Sequence, residues 1–176
     1  MSNRIVGILP GFMTQRTAVN QIMALRHAVL WAGQPIERAA FKEDISNGTR
    51  HYAVFTLIKP EHGQERIQLV KQLSESTSEA VSCVSLILTY VHIMELRGLA
   101  TDPEYQRQGI ADHLMAWSEN DVILSRNKVT KLWSNVRINA VPFFEKKGWE
   151  KASAAFKLPF GGKHIRMIKK LNRIGV

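Results

Sequence analysis

The sequence predicts a mixed α/β domain in which helices cover a central sheet, and three observations lead to this class. Runs rich in β-branched and aromatic residues alternate with amphipathic helical patterns. Many of the strand-like runs are adjacent along the chain, which is typical of a mixed sheet rather than a purely parallel one. The length of 176 residues, with 45% hydrophobic residues, is enough for one domain with a buried core. We therefore expect a single domain over residues 1–176.

The individual elements follow from the local pattern and from signals at their ends. Thr17 has the residue type of an N-cap for the first helix, and Gly148 has the residue type that closes the last one. The polar stretch 59–80 indicates an insertion or loop, with a short helix at 66–73. The predicted strands are 4–9, 51–58, 80–91, 93–102, 131–136, 149–158 and 164–171, and the predicted helices are 17–31, 108–126 and 139–148.

Composition and charge narrow the classes of partner. The formal net charge of +9 favours anionic partners such as nucleotide cofactors or acidic metabolites. Nucleic acid is disfavoured because no aromatic-plus-basic motif and no run of five basic residues occurs. No apolar run approaches the roughly 20 residues of a membrane span. The single cysteine, Cys83, excludes an internal disulfide, and we expect a cytoplasmic protein without a metal site.

The segment from Gln106 to Ala111 is the most informative stretch of the chain. It lies between a predicted strand and a predicted helix, so its backbone N–H groups are expected at a helix N-terminus. Such an end binds phosphate through free N–H groups and the positive end of the helix dipole. Gly109 and Ala111 lack bulk, which lets a phosphate approach the backbone. On its own, this spacing fits a tight strand-to-helix turn equally well.

The surrounding sequence resembles a known superfamily. The stretch 96–117, with its Q-x-x-G-x-A spacing, is similar to the acetyl-CoA loop of the GNAT superfamily of N-acetyltransferases. The stretch 132–150 is similar to the late strand and helix of that superfamily, in the same order. The resemblance covers roughly residues 15–170. It implies the GNAT fold, a mostly antiparallel sheet of about six to seven strands whose fourth and fifth strands splay apart, with flanking helices.

Within the superfamily, four segments resemble glyphosate N-acetyltransferase and its small bacterial relatives. These segments are 25–35, 94–101, 132–137 and 158–171. The resemblance implies that Arg26, Arg97 and Arg137 bind an anionic small substrate and that His164 is the catalytic base. The fork of an arginine suits carboxylates and phosphonates because it donates two parallel hydrogen bonds. From the residue pattern alone, other roles fit equally well. Arg26 fits an arginine that snorkels at the edge of a helix face, Arg97 fits an ion pair with Glu95, and Arg137 fits a surface residue at a strand end.

Two further residues of the expected site depend on the same resemblance. Glu95 is the competing catalytic base, since many enzymes of the superfamily carry a glutamate on this strand. Phe144 aligns with the tyrosine that protonates the leaving thiolate of CoA, and phenylalanine has no proton to give. The residues expected to bind acetyl-CoA are Leu99, Thr101, Gln106, Arg107, Gln108, Gly109, Ile110, Ala111, Asp112, Asn139 and Phe144.

The expected function is transfer of acetyl from acetyl-CoA to the amine of a small, anionic, amino-acid-like substrate by direct attack. Two alternatives remain open: acetylation of a protein or peptide amine, and an acyl-CoA-binding module without turnover. Phe144 supports the second alternative. A homodimer is compatible with the sequence but is not indicated by any motif.

Overall fold

The computed structural model describes residues 9–57, 79–125, 128–159 and 161–171. The strands are β1 (Phe12–Thr17), β2 (Arg50–Thr56), β3 (Ala80–Tyr90), β4 (Ile93–Thr101), β5 (Lys131–Arg137), β6 (Glu150–Lys151), β7 (Phe156–Lys157) and β8 (Lys163–Lys170). The α-helices are α1 (Asn20–Leu30), α2 (Ile110–Ser125) and α3 (Val141–Lys146), and short 3-10 helices span Ile36–Ala39, Pro103–Tyr105 and Ile138–Ala140.

Within the described residues, all eight strands belong to one sheet, in the order β1-β2-β3-β4-β5-β8-β6, with β7 also on β8. Every pairing is antiparallel except that of β4 with β5. This confirms the mixed sheet with flanking helices. The sheet has more strands than the six to seven expected, because β1 lacks a sequence signal and the predicted strand 149–158 is divided into β6 and β7.

Two local predictions differ from the structure or lie outside it. The N-cap position of α1 is Val19, and Thr17 is the last residue of β1, so the prediction for Thr17 was wrong. The hydroxyl of Thr17 still donates to Gln21 of α1. Residues 4–8 of the first predicted strand and the predicted helix 66–73 lie outside the described residues.

The two long helices lie on opposite faces of the sheet. Alternate residues of a strand point to opposite faces, and those on one face of β2 and β3, such as Ala53 and Cys83, pack in the cluster that contains Ile22 and Leu25 of α1. Residues on the other face of β2 and β3 pack in a second hydrophobic cluster, which contains residues of α2. That cluster includes Tyr52, Val54, Val84, Leu86, Leu96, Ile110, Leu114, Met115 and Val122. Both faces of β4 are thereby covered, and its N-terminal end is paired with β5.

Candidate active site

The site begins where β4 and β5 separate. Their parallel pairing joins Ile93–Glu95 to Lys131–Trp133, and beyond Glu95 the described residues of β4 pair with β3 but not with β5. A cleft of about 860 Å³ opens between the two strands beyond this point. It is lined by Glu95 and the rest of β4, by the end of β5, by the start of α2, and by Phe144 and His164. The expected splay of the fourth and fifth strands is therefore present.

A bulge in β4 shapes one wall of the cleft. Ser85 pairs with Arg97 and Cys83 pairs with Ala100, so β4 contains one more residue than β3 over this interval. Gly98 takes up the difference with a positive φ of 69°, a backbone conformation that favours glycine. A Cβ atom here would lie 3.0 Å from the ring of Phe41 and 3.2 Å from Nε of Arg26. The bulge is thus supported directly by these two side chains.

The turn between β4 and α2 has the form of an anion-binding site. Asp102 accepts a hydrogen bond from the backbone N–H of Glu104, and the side-chain amide of Gln106 donates to the Thr101 carbonyl. Arg107 and Gly109 both have positive φ angles, 59° and 80°, which bend the chain into the start of α2. Nothing lies within 4 Å of a Cβ atom built on Gly109, so space is open in front of the helix N-terminus. These residues fit a pyrophosphate group.

Most residues expected to bind the cofactor line the cleft, and two do not. Those that line it are Leu99, Thr101, Gln106, Arg107, Gly109, Ile110, Ala111, Asp112 and Phe144. Gln108 is exposed and its amide donates to the Glu104 carbonyl, which directs it away from the lining residues. Asn139 is exposed in a 3-10 helix and is not among the lining residues either. Asp112 forms an ion pair with Lys147 at the C-terminus of α3.

Glu95, Arg97 and Phe41 line the cleft, and together with Glu43, the ion-pair partner of Arg97, they are called the β4 wall, whose charges are already paired. Arg97 donates through Nε and Nη2 to both carboxylate oxygens of buried Glu95, at 2.9 and 2.6 Å. Its Nη1 donates to Glu43 at 3.0 Å. Burial raises the pKa of the Glu95 carboxyl, although the hydrogen bonds from Arg97 oppose that change. Both oxygens of Glu95 are therefore engaged, which makes it a poorly available base.

Arg26 lies behind the β4 wall rather than in the cleft. Its guanidinium is fully buried and donates to the Ala39 carbonyl, the Asp44 carboxylate and the Ser85 hydroxyl, at 2.7 to 2.8 Å. It also stacks on Phe41, with Cζ 4.1 Å from the ring centroid. The structure therefore does not bring Arg26 together with the other expected substrate-binding residues, because a buried carboxylate holds it beneath the sheet surface.

The β5/β8 wall, formed by Arg137 and His164, is different. The two residues are direct partners in the antiparallel pairing of β5 with β8. A Cβ atom on Gly161 would lie 3.3 Å from Cε1 of His164 and 3.6 Å from Nε of Arg137, so both side chains flank this glycine. Arg137 is exposed and donates to the Leu30 carbonyl at 3.3 Å, a long hydrogen bond that leaves most of its donors available.

The hydrogen bonding of His164 defines its tautomer. Its Nδ1 lies 3.0 Å from the Gly162 carbonyl oxygen. A carbonyl can only accept, so Nδ1 carries the hydrogen and Nε2 of the neutral ring keeps its lone pair. The side chain is only 6% exposed, yet it lines the cleft and packs near the Phe156 ring. This arrangement suits an imidazole that accepts a proton at Nε2.

Phe144 contributes packing to the cleft. It is 4% exposed and contacts the rings of Phe143 and Trp149 edge-on, with centroids 5.8 and 5.2 Å away. Phe41 and Glu43 are site residues that the sequence did not indicate. Both lie in an irregular connection between Ala39 and β2, where no periodic pattern marks a face.

The comparisons with known proteins agree with this geometry. Residues 37–171 match the family model described as acetyltransferase (GNAT) domain. The chain therefore belongs to the GNAT family of acetyltransferases. It is 29% identical over 157 residues to an uncharacterized N-acetyltransferase, YitI, from Bacillus subtilis (strain 168), which covers 88% of this chain and 93% of that protein.

Solved structures show the same fold at low sequence identity. A putative N-acetyltransferase from Lactobacillus plantarum aligns with a TM-score of 0.69 and 16% identity over 92% of this chain and 99% of its own. An aminoglycoside 6'-N-acetyltransferase complexed with coenzyme A aligns with a TM-score of 0.64 and 14% identity, over 93% and 99% of the chains. The protein is an N-acetyltransferase with acetyl-CoA as its acetyl donor.

The described residues contain no group of three or more histidine, cysteine, aspartate or glutamate side chains that could hold a metal ion. In the same part of the chain, no helix is both long and apolar enough to cross a membrane.

Proposed function

We propose that this acetyltransferase acetylates the amine of a small, anionic acceptor of the amino-acid or aminophosphonate class. The observation that carries the proposal is the pairing of Arg137 with His164 on the β5/β8 wall. The exposed guanidinium of Arg137 and the imidazole of His164 flank the same glycine, so one small molecule can contact both. Arg97 on the opposite wall provides a second cationic group. The resemblance of four segments to glyphosate N-acetyltransferase supports the same class of acceptor.

In this proposal Nε2 of His164 takes a proton from the ammonium of the acceptor, and the resulting neutral amine attacks the thioester carbon. Its Nε2 lone pair is available because Nδ1 donates to the Gly162 carbonyl. A histidine is suited to this role because imidazole takes up and releases protons near neutral pH. Glu95 serves instead to orient Arg97, since both of its carboxylate oxygens accept from that guanidinium.

The other steps use the β4 wall and the turn that follows it. The backbone of the Gly98 bulge is the proposed donor to the thioester carbonyl, whose oxygen gains negative charge as the amine attacks. The turn from Gln106 to Ala111 is the proposed holder of the pyrophosphate. Phe144 packs beside the leaving group without a proton to donate, so the thiolate is protonated by water, by the protonated His164, or after release.

An acyl-CoA-binding module without turnover is the second candidate. The observation that favours it is Phe144 at the position where the superfamily's tyrosine protonates the thiolate. The two candidates predict the same affinity for CoA but different turnover, so binding measurements alone do not separate them.

An acceptor screen separates them and tests the acceptor class. Release of free CoA from acetyl-CoA is measured with amino acids and aminophosphonates, with their neutral amides, and with cationic amines such as spermidine. We expect turnover with acidic amines, and a lower kcat/KM for each neutral counterpart. Turnover confined to cationic amines would refute the proposed acceptor class. Tight CoA binding without turnover on any amine would favour the binding module.

A further inference from the structure

Glu43 is a carboxylate of the β4 wall for which the proposed reaction has no role. It lies in the connection between Ala39 and β2, and its Oε2 accepts from Nη1 of Arg97 at 3.0 Å. The Glu43 and Arg97 side chains are 41% and 34% exposed, so water and dissolved anions can reach the pair. Ion pairs in this position are weak, because solvent competes for both partners. Another anion can therefore replace Glu43 at Nη1.

The rest of Arg97 is not open to exchange in the same way. Its Nε and Nη2 donate to Glu95, whose side chain is only 5% exposed. Breaking those bonds would leave a buried carboxylate without its cation, which is costly. The Nη1 edge is thus the part of the guanidinium that an acceptor can claim, and Glu43 holds it in the resting protein.

The connection that carries Glu43 is firmly supported. The Glu43 carbonyl accepts from the Thr49 hydroxyl at 2.6 Å and from the Ser46 N–H at 3.0 Å. The next residue, Asp44, is bound by buried Arg26 at 2.7 Å and accepts from the Phe41 N–H at 2.8 Å.

Phe41 in turn lies against both arginines. Its ring centroid is 4.1 Å from Cζ of Arg26 and 5.1 Å from Cζ of Arg97. The two neighbouring carboxylates therefore have different roles. Asp44 anchors the connection in the protein interior, whereas Glu43 is partly exposed beside Arg97, which lines the cleft.

We propose that Glu43 determines acceptor specificity by acting as the resting counterion of Arg97, which an anionic acceptor must displace. This inference rests on the proposed function, because it requires an acceptor with an anionic group. Displacement lowers the affinity for anionic acceptors below the value that Arg97 alone would allow. An acceptor with a neutral tail leaves the Glu43–Arg97 pair intact and is unaffected.

The test uses the complex with CoA, which has no acetyl group and therefore forms a dead-end complex with an amine. Calorimetry measures the affinity of this complex for aminomethylphosphonate, an anionic amine, and for ethanolamine, an amine with a neutral tail. The variants are Glu43→Gln, Arg137→Ala and Glu37→Gln. Glu37 is an exposed carboxylate in the 3-10 helix Ile36–Ala39 and controls for the loss of one negative charge.

We expect Glu43→Gln to bind aminomethylphosphonate about three- to tenfold more tightly. The substitution removes the weak ion pair that the acceptor would have to displace and the repulsion between Glu43 and the phosphonate. Affinity for ethanolamine and for CoA should not change, and Glu37→Gln should match the wild type. If Glu43→Gln bound aminomethylphosphonate no more tightly than the wild type while Arg137→Ala clearly lost affinity for it, the proposed role of Glu43 would be overturned but the anionic acceptor class would stand. If the wild type does not prefer aminomethylphosphonate and Arg137→Ala has no effect, the anionic acceptor class fails, and this inference with it.

Discussion

The two walls of the cleft differ in what their arginines already bind. On the β4 wall, Arg97 is held by Glu95 and Glu43. On the β5/β8 wall, Arg137 makes one long hydrogen bond to a carbonyl among the described residues and lies beside the imidazole of His164. A guanidinium paired with carboxylates supports structure and offers few donors, whereas one without a carboxylate can bind an anion. In the proposed function, the β5/β8 wall therefore offers the more available guanidinium to the acceptor, whereas the β4 wall offers only the Nη1 edge of Arg97.

The largest effect is expected from His164→Ala. Loss of the proposed base should lower kcat by about 10²–10⁴ and abolish the rise of activity with pH that a base must produce when it loses its proton. Steady-state kinetics across a pH series measures both changes. If Glu95→Gln caused the larger loss of kcat, the catalytic base would be Glu95 on the β4 wall rather than His164 on the β5/β8 wall.

Arg26→Met should destabilise the protein, because the Arg26 guanidinium is buried behind the β4 wall. Removing the cation leaves Asp44 as an unpaired buried carboxylate, which costs about 3–5 kcal/mol of the free energy of unfolding. Denaturant unfolding measures the loss. Arg137→Met provides the matched control, with an expected change within about 0.5 kcal/mol because Arg137 is exposed. Equal losses in the two variants would contradict the distinction between the walls.

Gly109→Glu should weaken CoA binding about 10- to 100-fold. The added carboxylate enters the open space before α2, repels the pyrophosphate and removes hydrogen bonds to a charged group, each worth about 1.5–3 kcal/mol. Gly109→Ala controls for the strain of a side chain at this positive φ. Calorimetry with CoA gives the affinities. If Gly109→Glu bound CoA like the wild type, the pyrophosphate would have to lie elsewhere.

Arg137→Ala should raise KM for an acidic amine by at least about tenfold, because it removes a charge-assisted hydrogen bond. Neutral amines should change much less. Arg97→Ala should also raise KM for acidic amines, and it should in addition destabilise the protein because buried Glu95 loses its partner. Kinetics and unfolding of the two variants together separate recognition from support. Equal KM changes for acidic and neutral amines would contradict charge recognition.

The smallest effect is expected from Phe144→Tyr, which adds a hydroxyl at a buried position of the cleft. A partial general-acid contribution should raise kcat by roughly 3- to 30-fold. The measurement is steady-state kinetics of both forms with the same amine, accompanied by a thermal unfolding scan. An unchanged kcat would mean that protonation of the thiolate does not limit the rate.

Sequence patterns were most informative where the chemistry is local. The strand, turn and helix around Gly109 are encoded within a few consecutive residues, and the structure has the strand end, the positive φ and the helix start there. The strand division at 149–158 was not predicted, because residues 152–155 contain no glycine or proline to mark a break, and the separate pairings of β6 and β7 with β8 depend on the fold. Local patterns also could not predict hydrogen-bond and ion-pair partners that lie far apart along the chain.

The sequence by itself determined most of the helices and strands, the strand–turn–helix arrangement around Gly109 and the family, because these depend on periodicity and on residues close together in the chain. Tertiary structure decided which of the expected arginines are held by carboxylates. Arg26 bonds to Ser85, 59 residues away, and Arg97 bonds to Glu43, 54 residues away. Whether a guanidinium is free depends on the carboxylates and the burial that folding places around it, and such long-range contacts leave no periodic trace in the sequence.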